Sequence, residues 1–292
     1  MRQQTMPAKG RGELGSMTRL QPLDAPELPW RIEDIDFGRL DSSLVKDDER
    51  LFYLLASASF VESGASLYTR NLIDYYRHDS DACAWLSNHW EGEELQHGRA
   101  LRTYVQAAWP DFDWQGGYAR FIVDYGALCR MDELEPTHAL ELAARCVVET
   151  GTATYYRMLC EAAREPVLRQ ILDHIRRDEV RHFKYFYRFF LAHRGAENTS
   201  RRRIAVALLR RGLESTDEDG YCAFRHAYQT RHPQRVDVKG AYRAFRRDVH
   251  RLALRHYPHR MAAEMFLTPL GLRPLARRSA VWALTRTMRV AL

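Results

Sequence analysis

Long stretches with the three- and four-residue spacing of an α-helix constrain the fold of this chain more than any other feature. They cover residues 43 to 77, 81 to 109, 136 to 163 and 166 to 193. No stretch of useful length alternates with the two-residue period of a strand. Because short turns join the helical stretches in pairs, the sequence predicts an all-α fold centred on an antiparallel four-helix bundle.

Turn and capping residues set the expected ends of these helices. The run from His78 to Asp81 provides a turn and a new N-cap, and Pro110 closes the second helix. Pro136 can occupy the first position of the third helix without losing a hydrogen bond, and Gly195 is the expected end of the fourth. A shorter helix is predicted over residues 118 to 134.

The chain divides into three predicted parts around this bundle. Residues 1–42 are rich in Pro, Gly and mixed charge, and predict a tail or strap on the surface. Residues 43–195 form the bundle, and residues 196–292 form a basic helical extension with a net charge of +13 from residue 201 onward, against −7 before it. Candidate helices of the extension cover residues 201–213, 240–256 and 279–290.

Composition excludes several classes of protein. No apolar run reaches about 18 residues, so no membrane-spanning helix is expected, and the N-terminus lacks the apolar segment of a secretory signal. The five cysteines are scattered and form no C-x-x-C pair, so neither a disulfide framework nor a thiolate zinc site is implied. A cytoplasmic location is therefore expected.

Two of the predicted helices carry a glutamate and a histidine three residues apart. Glu94 and His97 lie in the second helix, and Glu179 and His182 lie in the fourth. Residues at this spacing share one helical face, so each pair can reach one metal ion together. The same pattern at Glu135–His138 is interpreted as a helix start without a metal role.

Two further glutamates are related to these pairs by hairpin symmetry. Glu62 precedes Glu94 by 32 residues and Glu149 precedes Glu179 by 30, and each pair is centred on a predicted turn. In an antiparallel hairpin, residues equidistant from the turn stand at the same height, because both arms rise about 1.5 Å per residue. The two hairpins therefore bring four carboxylates and two imidazoles to one level of the bundle interior.

Four carboxylates buried together require positive partners, because an isolated ionised group is strongly penalised in a low dielectric. Two divalent or trivalent metal ions with mixed oxygen and nitrogen ligands would satisfy this requirement. Open coordination positions on such ions suit iron and O2 chemistry. The alternative is a set of solvated acids and histidines on the surface of a charged helical bundle.

Three segments around these positions carry recognisable motifs. Residues 90–98 read WEGEELQHG, residues 178–182 read DEVRH, and residues 149–152 read ETGT. They resemble the motifs W-x-A-E-E-N-R-H-G, D-E-K-R-H and E-R-A-T of the soluble acyl-carrier-protein desaturases, within the ferritin-like di-iron carboxylate superfamily. The resemblance implies a ferritin-like fold, two iron ions as cofactor and O2 as co-substrate. The implied metal ligands are Glu62, Glu94, His97, Glu149, Glu179 and His182.

The resemblance also implies roles for three residues beside the ligands. Thr152 would face the oxygen-binding side of the cluster, as its spacing from Glu149 also indicates, or it would bond back to its own helix. Trp90 and Asp178 would lie on an electron path from the surface. Alternatively, Trp90 is a core aromatic residue and Asp178 accepts a hydrogen bond from a ligand histidine.

Together these features predict an O2-dependent di-iron oxidoreductase acting on an apolar chain. The expected substrate is a fatty acyl group on acyl carrier protein, with desaturation, hydroxylation and N-oxygenation left open and a ferredoxin-type protein as electron donor. The basic C-terminal third would dock this carrier or another acidic partner, and peripheral membrane contact through residues 273–289 is an equal alternative. Nucleic acid is disfavoured because no base-reading motif is present, and a homodimer is among the assemblies left open.

Three other functions share parts of these features. A ferroxidase or iron-storage protein of the bacterioferritin class would use the same six ligands, although about 100 residues of this chain extend beyond the four helices. A different di-iron oxygenase would also use them. A metal-free helical interaction module would give these residues no chemical role.

Overall fold

Every regular element of the computed structural model is a helix, which confirms the predicted all-α class for the described part of the chain. The structure describes residues 28–214 and 218–291. Residues 1–27 of the predicted tail or strap lie outside this part. No helix in it combines the length and the apolar character needed to cross a bilayer.

Short connections join the successive helices. The α-helices are α1 Glu49–Ser63, α2 Ala65–Tyr75, α3 Ser80–Trp85, α4 Glu91–Ala108, α5 Trp114–Leu128, α6 His138–Ala162, α7 Pro166–Glu197, α8 Arg201–Glu214, α9 Glu218–Arg231, α10 Val238–His256, α11 His259–Leu267 and α12 Pro274–Ala291. Single 3₁₀ turns cover Ile32–Asp34, Phe37–Arg39, Ser42–Leu44, Met131–Glu133 and Thr268–Leu270. A π turn, Leu86–Trp90, joins α3 to α4 in one continuous helical segment.

The first predicted helix starts later than expected and is divided in two. Ser43 lies in a 3₁₀ turn, and α1 begins after Asp48, whose carboxylate accepts a hydrogen bond from the Leu51 amide at 2.9 Å. Gly64 then separates α1 from α2, with φ −89° and ψ 3°. The Asp48 cap and the break at Gly64 therefore interrupt a three- and four-residue spacing that continues through both positions in the sequence.

The ends of α6 and α7 also differ from the prediction. Pro136 stays outside α6 because the extended Thr137 is its N-cap, with a hydroxyl that accepts a hydrogen bond from the Leu140 amide at 3.4 Å. Helix α7 continues through Gly195 and ends at Glu197, and its C-cap Asn198 takes the left-handed conformation with φ 49°. Asparagine tolerates this conformation, so Asn198 ends the helix instead of Gly195.

Other predicted helices are present with shifted limits. The helix expected at residues 118–134 is α5, which starts earlier because the Asp113 carboxylate accepts a hydrogen bond from the Gly116 amide at 2.9 Å. Helices α8, α10 and α12 contain the three candidate ranges of the extension. Helices α9 and α11 were not predicted, and they occupy the gaps between those candidates.

Helices α6 and α7 form an antiparallel hairpin. At its open end, the Ala139 amide at the start of α6 donates to Glu197 at the end of α7 at 3.3 Å. Near its middle, the Thr152 hydroxyl of α6 donates to Glu179 of α7 at 2.7 Å. Glu165 caps the start of α7 at the turn. The predicted break at Glu165 is therefore confirmed, and it fixes which residues of the two helices face each other.

The segment α1–α2 runs antiparallel to the segment α3–α4. The ring of Phe52 near the start of α1 lies 5.3 Å from the ring of Trp109 just after α4. The ring of Tyr68 in α2 lies 5.6 Å from that of Trp90 just before α4. Asp79 caps α3 at the turn between the two segments, as the sequence predicts.

Two apolar clusters flank the level of the predicted ligands. The Phe60 cluster includes Phe60, Leu101 and Ile175, and the Phe186 cluster includes Leu142 and Phe186. Along each of the four helical segments, residues of one cluster precede the predicted ligand positions and residues of the other follow them. The polar residues therefore occupy one layer between two apolar regions, where few water molecules can reach them.

The described part of the predicted strap does not lie entirely on the surface. Trp30 and Ile35 are buried in the Phe60 cluster, and the Trp30 carbonyl accepts a hydrogen bond from the Gln96 side chain of α4 at 3.0 Å. Burying the large indole offsets the entropy lost when this segment is ordered. The N-terminal segment therefore forms part of the core beside α4.

We expect Gly98→Ala to destabilise the fold because α1 and α4 approach each other at this residue. A Cβ at Gly98 would lie 2.6 Å from the backbone nitrogen of Ser63, and such overpacking costs about 1–3 kcal/mol. Gly92 lies on the same helix with no atom within 4 Å of an added Cβ, so Gly92→Ala should stabilise the protein by about 1 kcal/mol through helix propensity. Urea unfolding measures both changes, and equal effects of the two substitutions would contradict the close approach.

Candidate metal centre

The six residues predicted as ligands lie together in the polar layer. They form two overlapping groups in which one potential ligand atom per residue lies within 4.8 Å of the others. The groups are Glu62, Glu94, His97 and Glu179, and Glu94, Glu149, Glu179 and His182. All six side chains are buried. Because Glu94 and Glu179 belong to both groups, two ions bound here would share two carboxylates.

Each helix places its ligands by simple spacing. Glu94 and His97 are one turn apart on α4, and Glu179 and His182 are one turn apart on α7. Glu62 lies in the last turn of α1, just before the break that separates it from α2. Glu149 lies in the middle of α6. The four donor sets meet because all four segments pass through the same layer.

The outer nitrogen of each histidine is held by a carboxylate. His97 Nε2 lies 3.0 Å from Asp178 Oδ2, and His182 Nε2 lies 2.7 Å from Glu93 Oε2. Donation of the Nε2 proton to a carboxylate leaves a lone pair on Nδ1 of a neutral imidazole. The two carboxylates therefore select the tautomer in which Nδ1 can bind a metal ion.

The inner nitrogens face the glutamates. His97 Nδ1 lies 3.3 Å from Glu179 Oε1, and His182 Nδ1 lies 3.1 Å from Glu94 Oε1. Both Nδ1 atoms and Glu179 Oε1 are buried and have no hydrogen-bond partner among the described residues. Buried polar atoms without partners are costly, and these atoms converge between carboxylate oxygens. The donor set thus fits metal ions with mixed nitrogen and oxygen coordination.

A second ring of contacts surrounds the ligands. Arg181 Nη2 lies 2.7 Å from Glu93 Oε2 and 2.9 Å from Asp178 Oδ1, so one guanidinium joins the two carboxylates that hold the histidines. The Trp30 indole also donates to Asp178 Oδ2, at 2.7 Å. Burial would raise the pKa of Glu93 and of Asp178, but the contacts with the histidines and Arg181 outweigh it and lower both pKa values.

Several residues around the ligands were not predicted from the sequence. Glu93 and Asp178 each directly precede a ligand glutamate, so comparison of the two motifs can identify Glu93. Trp30 lies in a segment without helical spacing, and no local pattern points to it. The Tyr156 hydroxyl, which donates to Glu62, belongs to an apolar stretch of α6 that gives no such signal either.

The structure places the three predicted neighbours of the ligands differently from one another. The Thr152 hydroxyl donates to Glu179 Oε2 at 2.7 Å and also contacts the Glu149 carbonyl at 3.3 Å, so it faces the site and bonds back to its own helix. Asp178 accepts hydrogen bonds from His97 and Trp30. Trp90 packs edge-on against His182 at 6.3 Å between ring centroids, and its indole nitrogen has no partner among the described residues.

Protons on the buried carboxyl and imidazole groups balance the negative charge of the layer. Burial raises the pKa of Glu62 well above its usual range, and raises the pKa of Glu149 to about 8. Burial alone would lower the pKa of His97 and of His182, but their contacts with carboxylates outweigh it and raise both. Metal ions entering this layer must therefore displace protons from ligand atoms.

No protein-family model matches this chain, and comparison with curated proteins finds no match. The chemical character of the site therefore follows from its own residues. Its buried carboxylates and imidazoles can hold metal ions, and its neighbouring carboxylates orient both imidazoles toward the same layer.

Removing either shared glutamate should abolish binding of both ions. We expect Glu94→Ala and Glu179→Ala to lose both equivalents of bound metal, because each carboxylate belongs to both groups. Glu62→Ala and Glu149→Ala each alter one group and should retain about one equivalent. Metal analysis after gel filtration measures the stoichiometry, with Glu91→Ala on the same helix as the control. Full loading of Glu94→Ala and Glu179→Ala would contradict the site.

Metal affinity should increase with pH up to the pKa of the buried carboxyls. Below about pH 8, the raised pKa keeps Glu149 protonated, so binding there must release a proton and becomes weaker as the pH falls. Calorimetric titration in buffers of different ionisation enthalpy counts the released protons. Glu149→Gln should release fewer protons than the unsubstituted protein. A pH-independent affinity without proton release would show that the buried groups are already ionised.

Proposed function

We propose that the described helices form a ferritin-like antiparallel four-helix bundle with additional C-terminal helices. The segments α1–α2, α3–α4, α6 and α7 would be its four members, since each contributes to one ligand layer and the pairs within each hairpin are antiparallel. Helices α8, α10 and α11 contact α6, and α9 contacts α1 and α5. These helices would then cover the outside of the bundle.

We propose further that the protein is an O2-dependent di-iron oxidoreductase acting on an apolar chain. The observation that carries this proposal is the pair of buried ligand groups that share Glu94 and Glu179, each group with one histidine. Iron accepts this mixture of carboxylate and imidazole donors. Two bound iron ions would supply the one-electron chemistry and O2 activation needed to attack an unactivated C–H bond.

The chain's own residues would prepare this chemistry in three ways. Asp178 and Glu93 hold the Nε2 protons of His97 and His182, which keeps both Nδ1 atoms directed at the layer. The Thr152 hydroxyl holds a proton beside the shared Glu179 carboxylate, from which it can be delivered to a reactant. The two apolar clusters exclude bulk water from the reaction.

Electrons would reach the site through the hydrogen-bonded series Trp30, Asp178 and His97. The Trp30 indole donates to Asp178 at 2.7 Å, and Asp178 contacts His97 at 3.0 Å. Trp90 reaches the site only by ring packing against His182, so we assign the route to Trp30 and not to Trp90. The proposed donor is a ferredoxin-type protein.

The substrate would be a fatty acyl group on acyl carrier protein, with desaturation or hydroxylation as its outcome. Helix α12 supports docking of this acidic carrier because Arg277, Arg278, Arg286 and Arg289 border the same surface cavity as Trp282. Trp282 is 62% exposed, and the Arg286 guanidinium lies 4.7 Å from its ring centre. A basic surface with an exposed aromatic ring suits an acidic partner that also presents apolar side chains.

Reconstitution tests the proposed function directly. The protein loaded with ferrous iron should convert acyl chains on acyl carrier protein in the presence of a ferredoxin reductant and O2, and mass spectrometry should detect loss of two hydrogens or gain of one oxygen. Iron-free protein and Glu179→Ala should give no product. Oxidation and accumulation of many iron ions per chain without acyl conversion would favour the ferroxidase or storage alternative.

The same assay separates docking from chemistry. Arg277→Glu combined with Arg278→Glu should raise KM for the carrier-bound substrate at low salt and leave kcat unchanged, because the substituted residues lie on α12 outside the ligand layer. Arg77→Glu, at another exposed arginine, is the matched control. An unchanged KM in the α12 variant would reject docking on this helix without affecting the proposed di-iron site.

A further inference from the structure

A second group of potential metal ligands lies at the open end of the α6–α7 hairpin. His138 is the first residue of α6, and His193 and Glu197 belong to the last two turns of α7. One potential ligand atom from each of the three lies within 4.8 Å of the others, and all three side chains are half-buried. At 1.5 Å per residue, His138 is about 16 Å along α6 from Glu149. This group is therefore separate from the buried layer.

A carboxylate holds one histidine of this group in a defined orientation. His193 Nε2 lies 2.7 Å from Asp79 Oδ2, and this hydrogen bond lowers the pKa of Asp79. The other oxygen of Asp79 caps α3, where it accepts hydrogen bonds from the Asp81 and Ala82 amides at 3.1 and 3.0 Å. With Nε2 engaged, Nδ1 of His193 is free to bind an ion.

Aromatic rings hold the second histidine in place. The ring of His138 lies 4.9 Å from that of Tyr75, 5.1 Å from that of Tyr76 and 5.1 Å edge-on from that of His193. No hydrogen bond to its ring nitrogens is present in the described part of the chain. The ring is thus positioned by packing while both of its donor atoms remain available.

The carboxylate of this group belongs to Glu197 and not to the nearer glutamate in sequence. Both oxygens of Glu197 lie 3.3 Å from the Ala139 amide, next to His138, and Oε2 also accepts a hydrogen bond from the Thr199 hydroxyl at 3.4 Å. All of these contacts are long, so the carboxylate is weakly held. Glu135, which forms the E-x-x-H pattern with His138, is instead paired with Arg210. The pattern at 135–138 therefore marks a histidine whose acidic partner comes from α7.

We propose that His138, His193 and Glu197 bind a single divalent cation of the zinc class. Two imidazoles and one carboxylate are a donor set that Zn²⁺ accepts, with a fourth position left for water. A tetrahedral ion with bonds of about 2.1 Å places its ligand atoms about 3.4 Å apart. The three ligand atoms lie within 4.8 Å of one another, so the half-buried side chains would have to close by at most about 1.4 Å, which side-chain rotation can provide. The ion would join the start of α6 to the end of α7, and through Asp79 to α3.

Zinc titration of the complete chain tests this site independently of the proposed di-iron function. His138→Ala and His193→Ala should each bind one equivalent fewer of Zn²⁺ than the unsubstituted protein, whatever the buried layer binds. His250→Ala, at an exposed histidine of α10, should retain the full number. Equal stoichiometry in all four proteins, measured by calorimetry, would overturn the proposal.

Two further measurements apply even where an alanine variant fails to fold. Asp79→Asn preserves a capping side chain for α3, but it weakens the support of His193 and should lower the zinc affinity about 10- to 100-fold. In crystals of the unsubstituted protein soaked with Zn²⁺, anomalous scattering should give a peak between His138, His193 and Glu197. An unchanged affinity of Asp79→Asn together with no peak at this position would reject the site.

Discussion

Burial of four carboxylates in one layer is the constraint on which the rest of this structure depends. Glu62, Glu94, Glu149 and Glu179 lie between two apolar clusters that provide no water to solvate them. Their charge must be balanced by protons or by cations, because buried uncompensated charge is unfavourable. Arg181 offsets the charge of the outer carboxylates Glu93 and Asp178. His97 and His182 can either carry protons or bind cations among the four glutamates. The packing of the four helical segments therefore depends on how the charge in this layer is balanced.

The sequence contains enough information to locate this layer because hairpin geometry is simple. Asp79 and Glu165 mark the turns by local capping, and equal rise in both arms then places Glu62 opposite Glu94 and Glu149 opposite Glu179. Small errors in helix ends do not alter this argument, since the turn alone fixes the pairing. The all-α class and the six converging residues could therefore be predicted, although their occupancy by iron remains a proposal.

Other features could not be predicted because tertiary contacts or competing caps determine them. Helical spacing continues through Gly64, yet the helix divides there. Trp30 enters the core from a segment without any period, and only the packed structure shows that it bonds to Asp178. Helix α7 extends to Glu197. Because the prediction ended this helix at Gly195, it did not place His193 and Glu197 one turn apart on the same helix.

The two candidate sites use the same support for histidine in different surroundings. In each, a carboxylate holds Nε2 and leaves Nδ1 for a ligand, with Asp178 and Asp79 in corresponding roles. The site in the buried layer, here called the inner site, is enclosed by the two apolar clusters, and its two ligand groups have two carboxylates in common. It therefore suits charge transfer shielded from water. The outer site is half-buried at the ends of helices. An ion at this outer site can exchange with solvent. Because its ligands come from the start of α6 and the end of α7, it would hold together the open end of the hairpin that also carries Glu149, Glu179 and His182.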